Sequence, residues 1–177
     1  HRPPPDLAMD PSPDLGAWLA SGVCKSGLDI SMTVTLSRLL NRSRSKSPWL
    51  LCFNGGGCNG CAIELLACLT PVYDLERFGI LNTGNPKHAD LLLVTGTVNH
   101  RNHRTLENIF QTMTLPRLVV AAGACACTGG IFKQAYNVLG GADQAMKVDV
   151  YVPGCPPKPE RIIDGVLQAV EKLYCSK

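Results

Sequence analysis

A strong charge imbalance, a long apolar run and an even cysteine count are all missing from this chain of 177 residues. Its 17 basic and 14 acidic residues leave a formal net charge of +3. That balance gives no case for nucleic acid, which usually needs a strong basic face. The purely apolar runs stop after a few residues, far short of the roughly 20 that a spanning helix requires. The N-terminus lacks the apolar core of a secretory signal. A cytoplasmic chain is therefore expected. In a reducing compartment nine cysteines are not a disulfide framework, and their odd number argues the same way. Metal binding and simple burial remain for them.

What is present fits one globular domain with a tail. The chain is long enough for a hydrophobic core without disulfides. An apolar fraction of 45% with only 18% charged residues also suits a protein that buries much of its surface against partners. Residues 1–31 form a Pro-rich, irregular N-terminal extension. Its first 16 residues, rich in Pro and Asp, are expected to be extended or disordered. Residues 32–47 read as a basic amphipathic segment. Leu36, Leu39 and Leu40 fall at helical spacing, beside Arg38, Arg42, Arg44 and Lys46. A solvated helix face explains it; contact with a membrane surface or membrane-bound partner is the sharper reading.

From residue 48 to 177 the pattern is strand and helix in alternation. Short apolar runs at Trp49–Phe53, Phe78–Leu81, Leu91–Thr95, Leu118–Ala122 and Val148–Val152 predict five strands. Helices are expected over Ala62–Leu69, Thr105–Met113, from the Gly123 turn to about Leu139, and over Glu160–Tyr174. Continuous apolar strands alternating with helices indicate a parallel sheet covered on both faces. The expected fold is α/β, a flavodoxin-like doubly wound parallel sheet.

In such a fold, sites form beyond the carboxyl ends of the strands. Cys58 and Cys61 follow the first strand, Cys125 the fourth and Cys155 the fifth. All four are thus expected at one edge of the sheet. Glycines surround them at 55–57, 60, 123 and 154, and Pro156 and Pro157 follow Cys155. Glycine lets backbone amides approach a ligand, and amides aimed at a cluster's sulfurs stabilise its negative charge. Four thiolates are the usual ligation of a 4Fe–4S cluster. Structural zinc is the competing reading, although typical zinc modules use two C-x-x-C pairs. A redox dithiol at Cys58 and Cys61 is a third. Cys127 competes with Cys125, and spacing alone does not choose between them. Cys24, Cys52, Cys68 and Cys175 read as structural, since small buried thiols are common. His100 and His103 read as surface or interface residues. Tyr73, Asp74, Glu76 and Arg77 read as a solvated turn with a local ion pair.

The segments Cys58-Asn-Gly-Cys61-Ala-Ile-Glu64, Ala89-Asp-Leu-Leu-Leu-Val-Thr-Gly96, Gly123-Ala-Cys125-Ala-Cys-Thr-Gly-Gly130 and Val152-Pro-Gly-Cys155-Pro-Pro157 carry a family likeness. Over roughly residues 48–174 the chain resembles the small subunit of group 4, energy-converting membrane-bound nickel–iron hydrogenases. That family is related to the terminal-cluster subunit of respiratory complex I. The resemblance implies one 4Fe–4S cluster, prefers Cys125 over Cys127, and favours iron–sulfur over zinc. It also implies partners: a nickel–iron large subunit, a ferredoxin-like subunit with two 4Fe–4S clusters, and integral membrane subunits. The place it implies is peripheral, on the cytoplasmic face of a membrane complex. Cys58 and Cys61 form the spaced, hydrogenase-like pair. Ala62 stands where energy-converting hydrogenases often carry an acid, which keeps open a complex I-like or sulfur-reducing relative. Glu64 reads either as an acid stabilised at a helix N-terminus or, through the resemblance, as a proton-path or interface residue.

Overall fold

A computed structural model of the chain describes residues 47–175. The N-terminal extension and the basic segment expected over 1–47 fall almost wholly outside the described residues. Five strands form one parallel sheet: β1 (Trp49–Asn54), β2 (Leu81–Thr83), β3 (Leu91–Thr95), β5 (Leu118–Ala122) and β7 (Val150–Val152). Their order is β2-β1-β3-β5-β7. Counted among themselves, the five run 2-1-3-4-5, the flavodoxin-like arrangement. A separate ribbon pairs β4 (Val98–Asn99) antiparallel with β6 (Val138–Gly140). Four α-helices, α1 (Gly60–Cys68), α2 (His100–Thr112), α3 (Ala124–Thr128) and α4 (Pro159–Cys175), and 3-10 turns at Leu75–Phe78, Gly130–Phe132 and Ala142–Gln144 complete the described elements.

The central strands alternate their side chains between two cores. In β3, Leu91 and Leu93 join one core, while Leu92 and Val94 join the other. Every residue of β3 is buried, so its pattern is a continuous apolar run rather than an alternation. One core is closed by Leu65 and Cys68 of α1 and by Ile162, Ile163, Val166, Ala169 and Val170 of α4. The opposite core is closed by Leu106 of α2 and Ala126 of α3. Burial of each large aliphatic side chain contributes about 1.5–3 kcal/mol, which fixes the strand register against a one-residue slip. At the amino ends of the strands, the carboxylate of Asp90 accepts from Trp49 N at 3.2 Å and that of Asp149 from Val119 N at 2.9 Å.

Three expected elements differ. The strand expected at Phe78–Leu81 begins at Leu81, because Leu75–Phe78 is a 3-10 turn closed by Gly79 at φ 80°. Helix α2 begins at His100, five residues before the expected Thr105. Asn99 accepts from Arg101 N and Asn102 N, and Asn102 accepts from Asn99 N, forming a capping box. The helix expected from Gly123 to about Leu139 stops at Thr128. Gly129 and Gly130, at φ 86° and 52°, turn the chain out of the helix and toward β6. Positive φ is where glycine has no steric penalty, so the Gly-Gly pair is a stop that helical periodicity does not reveal.

Candidate metal centre

The carboxyl ends of β1, β3, β5 and β7 lie side by side, and their loops are stitched to one another. Gly55 N donates to Thr95 O at 2.7 Å, and Thr97 N donates to Gly56 O at 2.8 Å, joining the loops after β1 and β3. Gly123 N donates to Val152 O at 2.9 Å and Ala124 N to Gly154 O at 2.7 Å, joining those after β5 and β7. Cys58 and Cys155 are exposed; Cys61 and Cys125 are half-buried.

Contacts across these loops bring the four cysteines into one neighbourhood. A Cβ added to Gly123 would strike Cys61 Sγ. One added to Gly60 would lie 3.5 Å from Cys58 Sγ and 3.7 Å from Cys155's neighbour Pro156. One added to Gly130 would lie 3.1 Å from Cys125 Sγ. Glycine therefore edges three of the four thiols, leaving space that any side chain would fill. The electrostatics describe the same cluster. Burial pushes the Cys61 thiol up, and the charges of Cys125, Cys58 and Cys155 push it further. Burial also raises Cys125, with Cys155 and Cys58 adding to the effect. Neighbouring thiols that raise Cys61 and Cys125 in this way would repel them as thiolates, and a bound cation would relieve that repulsion. Among the described residues, no three His, Cys, Asp or Glu side chains form a ready site for a single metal ion.

Cys127 is hydrogen-bonded to the backbone, with Cys61 also close enough to raise its thiol. Its Sγ donates to Ala121 O at 3.5 Å and Val152 O at 3.7 Å. Its thiol is pushed up to about 11, chiefly by burial. Cys52 and Cys68 are also turned inward. Cys68 is fully buried, and its Sγ donates to Glu64 O at 3.2 Å. Cys24 lies outside the described residues.

The other sequence candidates separate. Glu64 is half-buried and is the fifth residue of α1, which has no acid in its first turn. The dipole's influence fades within the first turn, so the N-terminal reading of Glu64 is corrected. His103 Nδ1 lies 3.6 Å from Glu107 Oε2, one helical turn along α2. In the turn after Pro71, among the described residues, Arg77 makes no ion pair; it lies over the Phe78 ring, 5.2 Å from the centroid.

Sequence reading passed over a set of polar side chains beneath the glycine loop. Asn54 Oδ1 accepts from Gly56 N at 3.0 Å, and Asn54 Nδ2 donates to Asn59 Oδ1 at 3.0 Å. Thr97, itself buried, donates through Oγ1 to Gly56 O at 3.1 Å. Asn102 Nδ2 donates to Gly55 O. The signal was an Asn99-x-x-Asn102 capping box, which a search for Glu or Gln at the third position misses.

Comparison with known proteins agrees with this architecture. Residues 58–169 match the family model described as NADH ubiquinone oxidoreductase, 20 Kd subunit. A protein of Pyrococcus furiosus described as "Probable membrane-bound hydrogenase subunit mbhJ" is 46% identical over 72% of this chain and 77% of its own length. One of the NADH-quinone oxidoreductase subunits of Citrifermentans bemidjiense is 42% identical over 80% of this chain and 81% of its own. A chain in the structure of the membrane-bound sulfane sulfur reductase, an archaeal respiratory membrane complex, superposes with a TM-score of 0.66 at 38% identity. That match covers 76% of this chain and 75% of that one. The resemblance read from the cysteine motifs is thereby borne out, and the chain belongs to the NADH ubiquinone oxidoreductase 20 Kd subunit family.

Proposed function

We propose that Cys58, Cys61, Cys125 and Cys155 hold one 4Fe–4S cluster, and that the chain is the electron-transfer subunit of a membrane-bound energy-converting nickel–iron hydrogenase complex. The observation that carries the reading is the convergence of the four cysteines from three different strand ends, with Cys61 Sγ against Gly123 and the loops after β5 and β7 joined by Gly123 N to Val152 O and Ala124 N to Gly154 O. A bound cluster would supply one-electron chemistry at low potential, about −400 mV or below for thiolate-held clusters. The donor set, four thiolates, is the usual ligation of such a cluster.

In this reading the chain relays electrons between a ferredoxin-like subunit with two 4Fe–4S clusters and the nickel–iron site of a large subunit. Integral membrane subunits couple the reaction to ion translocation, and the chain sits peripherally on the cytoplasmic face. Glu64, three residues past Cys61 and half-buried, is the proposed proton-path residue where the chain meets the nickel–iron partner.

A second reading is favoured by the sulfane sulfur reductase neighbour and by the NADH-quinone oxidoreductase relatives. In it the same cluster serves a complex I-like or sulfur-reducing partner. Purification of the native complex separates the two. Hydrogen evolution with nickel in the preparation supports the hydrogenase. Reduction of polysulfide or quinone without nickel supports the second reading. In either case Cys125→Ala is expected to lose this cluster's share of the iron and of the visible absorption, while Cys127→Ala keeps both. Zinc in place of iron in the wild-type complex overturns the cluster. Glu64→Gln with unchanged turnover and pH profile removes the proton-path role.

A further inference from the structure

We propose that Asn102 is a positioning residue for the loop that carries Cys58 and Cys61, acting through the buried carbonyl of Gly55; the inference rests on the cluster reading above. Asn102 sits at the third position of α2 and uses both ends of its amide. Its Oδ1 accepts from Asn99 N at 2.8 Å, closing the capping box. Its Nδ2 donates to Gly55 O, across 47 residues of chain. The two ends of one amide serve both partners at once. The Glu that usually closes a capping box is acceptor-only when ionised and has no donor left for a second partner.

Gly55 is buried, while the residues after it up to Asn59 are exposed. Its carbonyl is therefore the last buried anchor before the first cysteine. A Cβ on Gly55 would lie 2.7 Å from Thr97 O, so the loop is pressed against the turn after β3 with no slack on that side. Asn102 holds it from another side. The hydrogen bond links the start of α2, packed through Leu106 on one face of the sheet, to the loop that opens α1 on the other face. A buried carbonyl that loses its donor carries a full desolvation penalty, whereas an exposed loop bond contributes little.

Asn102→Asp isolates this role. The carboxylate keeps the acceptor that caps α2 and is well placed at a helix N-terminus, so the cap survives. It loses the donor to Gly55. A residue that only capped α2 would leave the variant neutral or slightly more stable. The positioning role predicts that exchange in 55–61 rises about tenfold at the bonded amides of Gly55 and Gly56, with α2 unchanged. It also predicts that iron is lost to a chelator several-fold faster from the intact complex, and that the reduced protein's EPR spectrum changes. Asn102→Ala is expected to speed exchange in both the loop and the first turn of α2.

Exchange in 55–61 and chelator loss both unchanged in Asn102→Asp would overturn the proposal. If the variant fails to accumulate, Asn102→Ser provides a shorter neutral side chain, and faster exchange confined to 55–61 is again required. Absence of iron from the wild-type complex would sink the cluster reading but leave the exchange measurement to judge the loop anchor by itself.

Discussion

Cys52 and Cys68 show how one residue type serves two purposes in the same protein. Both thiols are pushed up to about 11, Cys52 by burial and then by Cys68, and Cys68 mainly by burial. Each lies in or against the core beneath α1 and α4. Reactivity needs the thiolate, so these two are expected to resist alkylation in iron-free protein, where the exposed Cys58 and Cys155 are open to the reagent. The raised values also bear on stability. The folded state holds these protons more tightly than the unfolded chain, whose thiols titrate near the ordinary value of 9.0. Their contribution is complete below pH 9.0 and is lost as pH rises toward 11. Melting temperature measured along this range is expected to fall, and to fall less in Cys52→Ala. An identical alkaline decline in the variant would show that Cys52 plays no part.

At the scale of elements, α4 is the support of the Cys155 loop. It buries Ile162, Ile163, Val166, Ala169 and Val170 against the sheet, at spacings of three and four. Gly165 lets it approach β7 closely: a Cβ there would strike Val152 Cγ2. Val152 ends β7, three residues before Cys155. Alanine at 165 gains about 1 kcal/mol of helix propensity but overpacks a tight contact at about 1–3 kcal/mol. Gly165→Ala is expected to be destabilising by about 1 kcal/mol in urea unfolding. Val152→Ala in the same chain should recover part of that loss, giving a non-additive pair. Arg117 anchors α2 instead. Its guanidinium lies over the Phe110 ring, 4.0 Å from the centroid, and donates to Phe110 O at 2.6 Å, closing the carboxyl end of α2.

For the molecule as a whole, the exposed apolar residues count for more than the core. None of the helices among the described residues is long and apolar enough to cross a membrane. Yet Ile63 and Leu66, three apart on α1 and just past Cys61, are 64% and 63% exposed. Ile131 and Tyr136, in the segment after Cys125, are 86% and 100% exposed. Single exposed aliphatics are ordinary; pairs on one helix beside a candidate redox site suit contact with other subunits. The double variant Ile63→Asp, Leu66→Asp is expected to keep its melting temperature and to co-purify several-fold less with the other subunits. Undiminished co-purification would remove this face of α1 from the assembly.

Much of this was legible in the residues themselves. The runs at Trp49, Leu91 and Leu118 announced β1, β3 and β5, because a strand buried on both faces must be apolar throughout. The periodicity of α4 was equally plain, because a long helix repeats its buried face over four turns. From strand–helix alternation, the sequence alone determined a parallel sheet and a shared edge for Cys58, Cys61, Cys125 and Cys155. Tertiary structure decided the rest. That Cys127 Sγ meets Ala121 O and Val152 O depends on the rotation of α3, a short helix ended by Gly129, and not on spacing. The pairing of β4 with β6 and the hydrogen bond from Asn102 to Gly55 depend on residues far apart in the chain. Local periodicity has no access to such partners, because they become neighbours only once the sheet has formed.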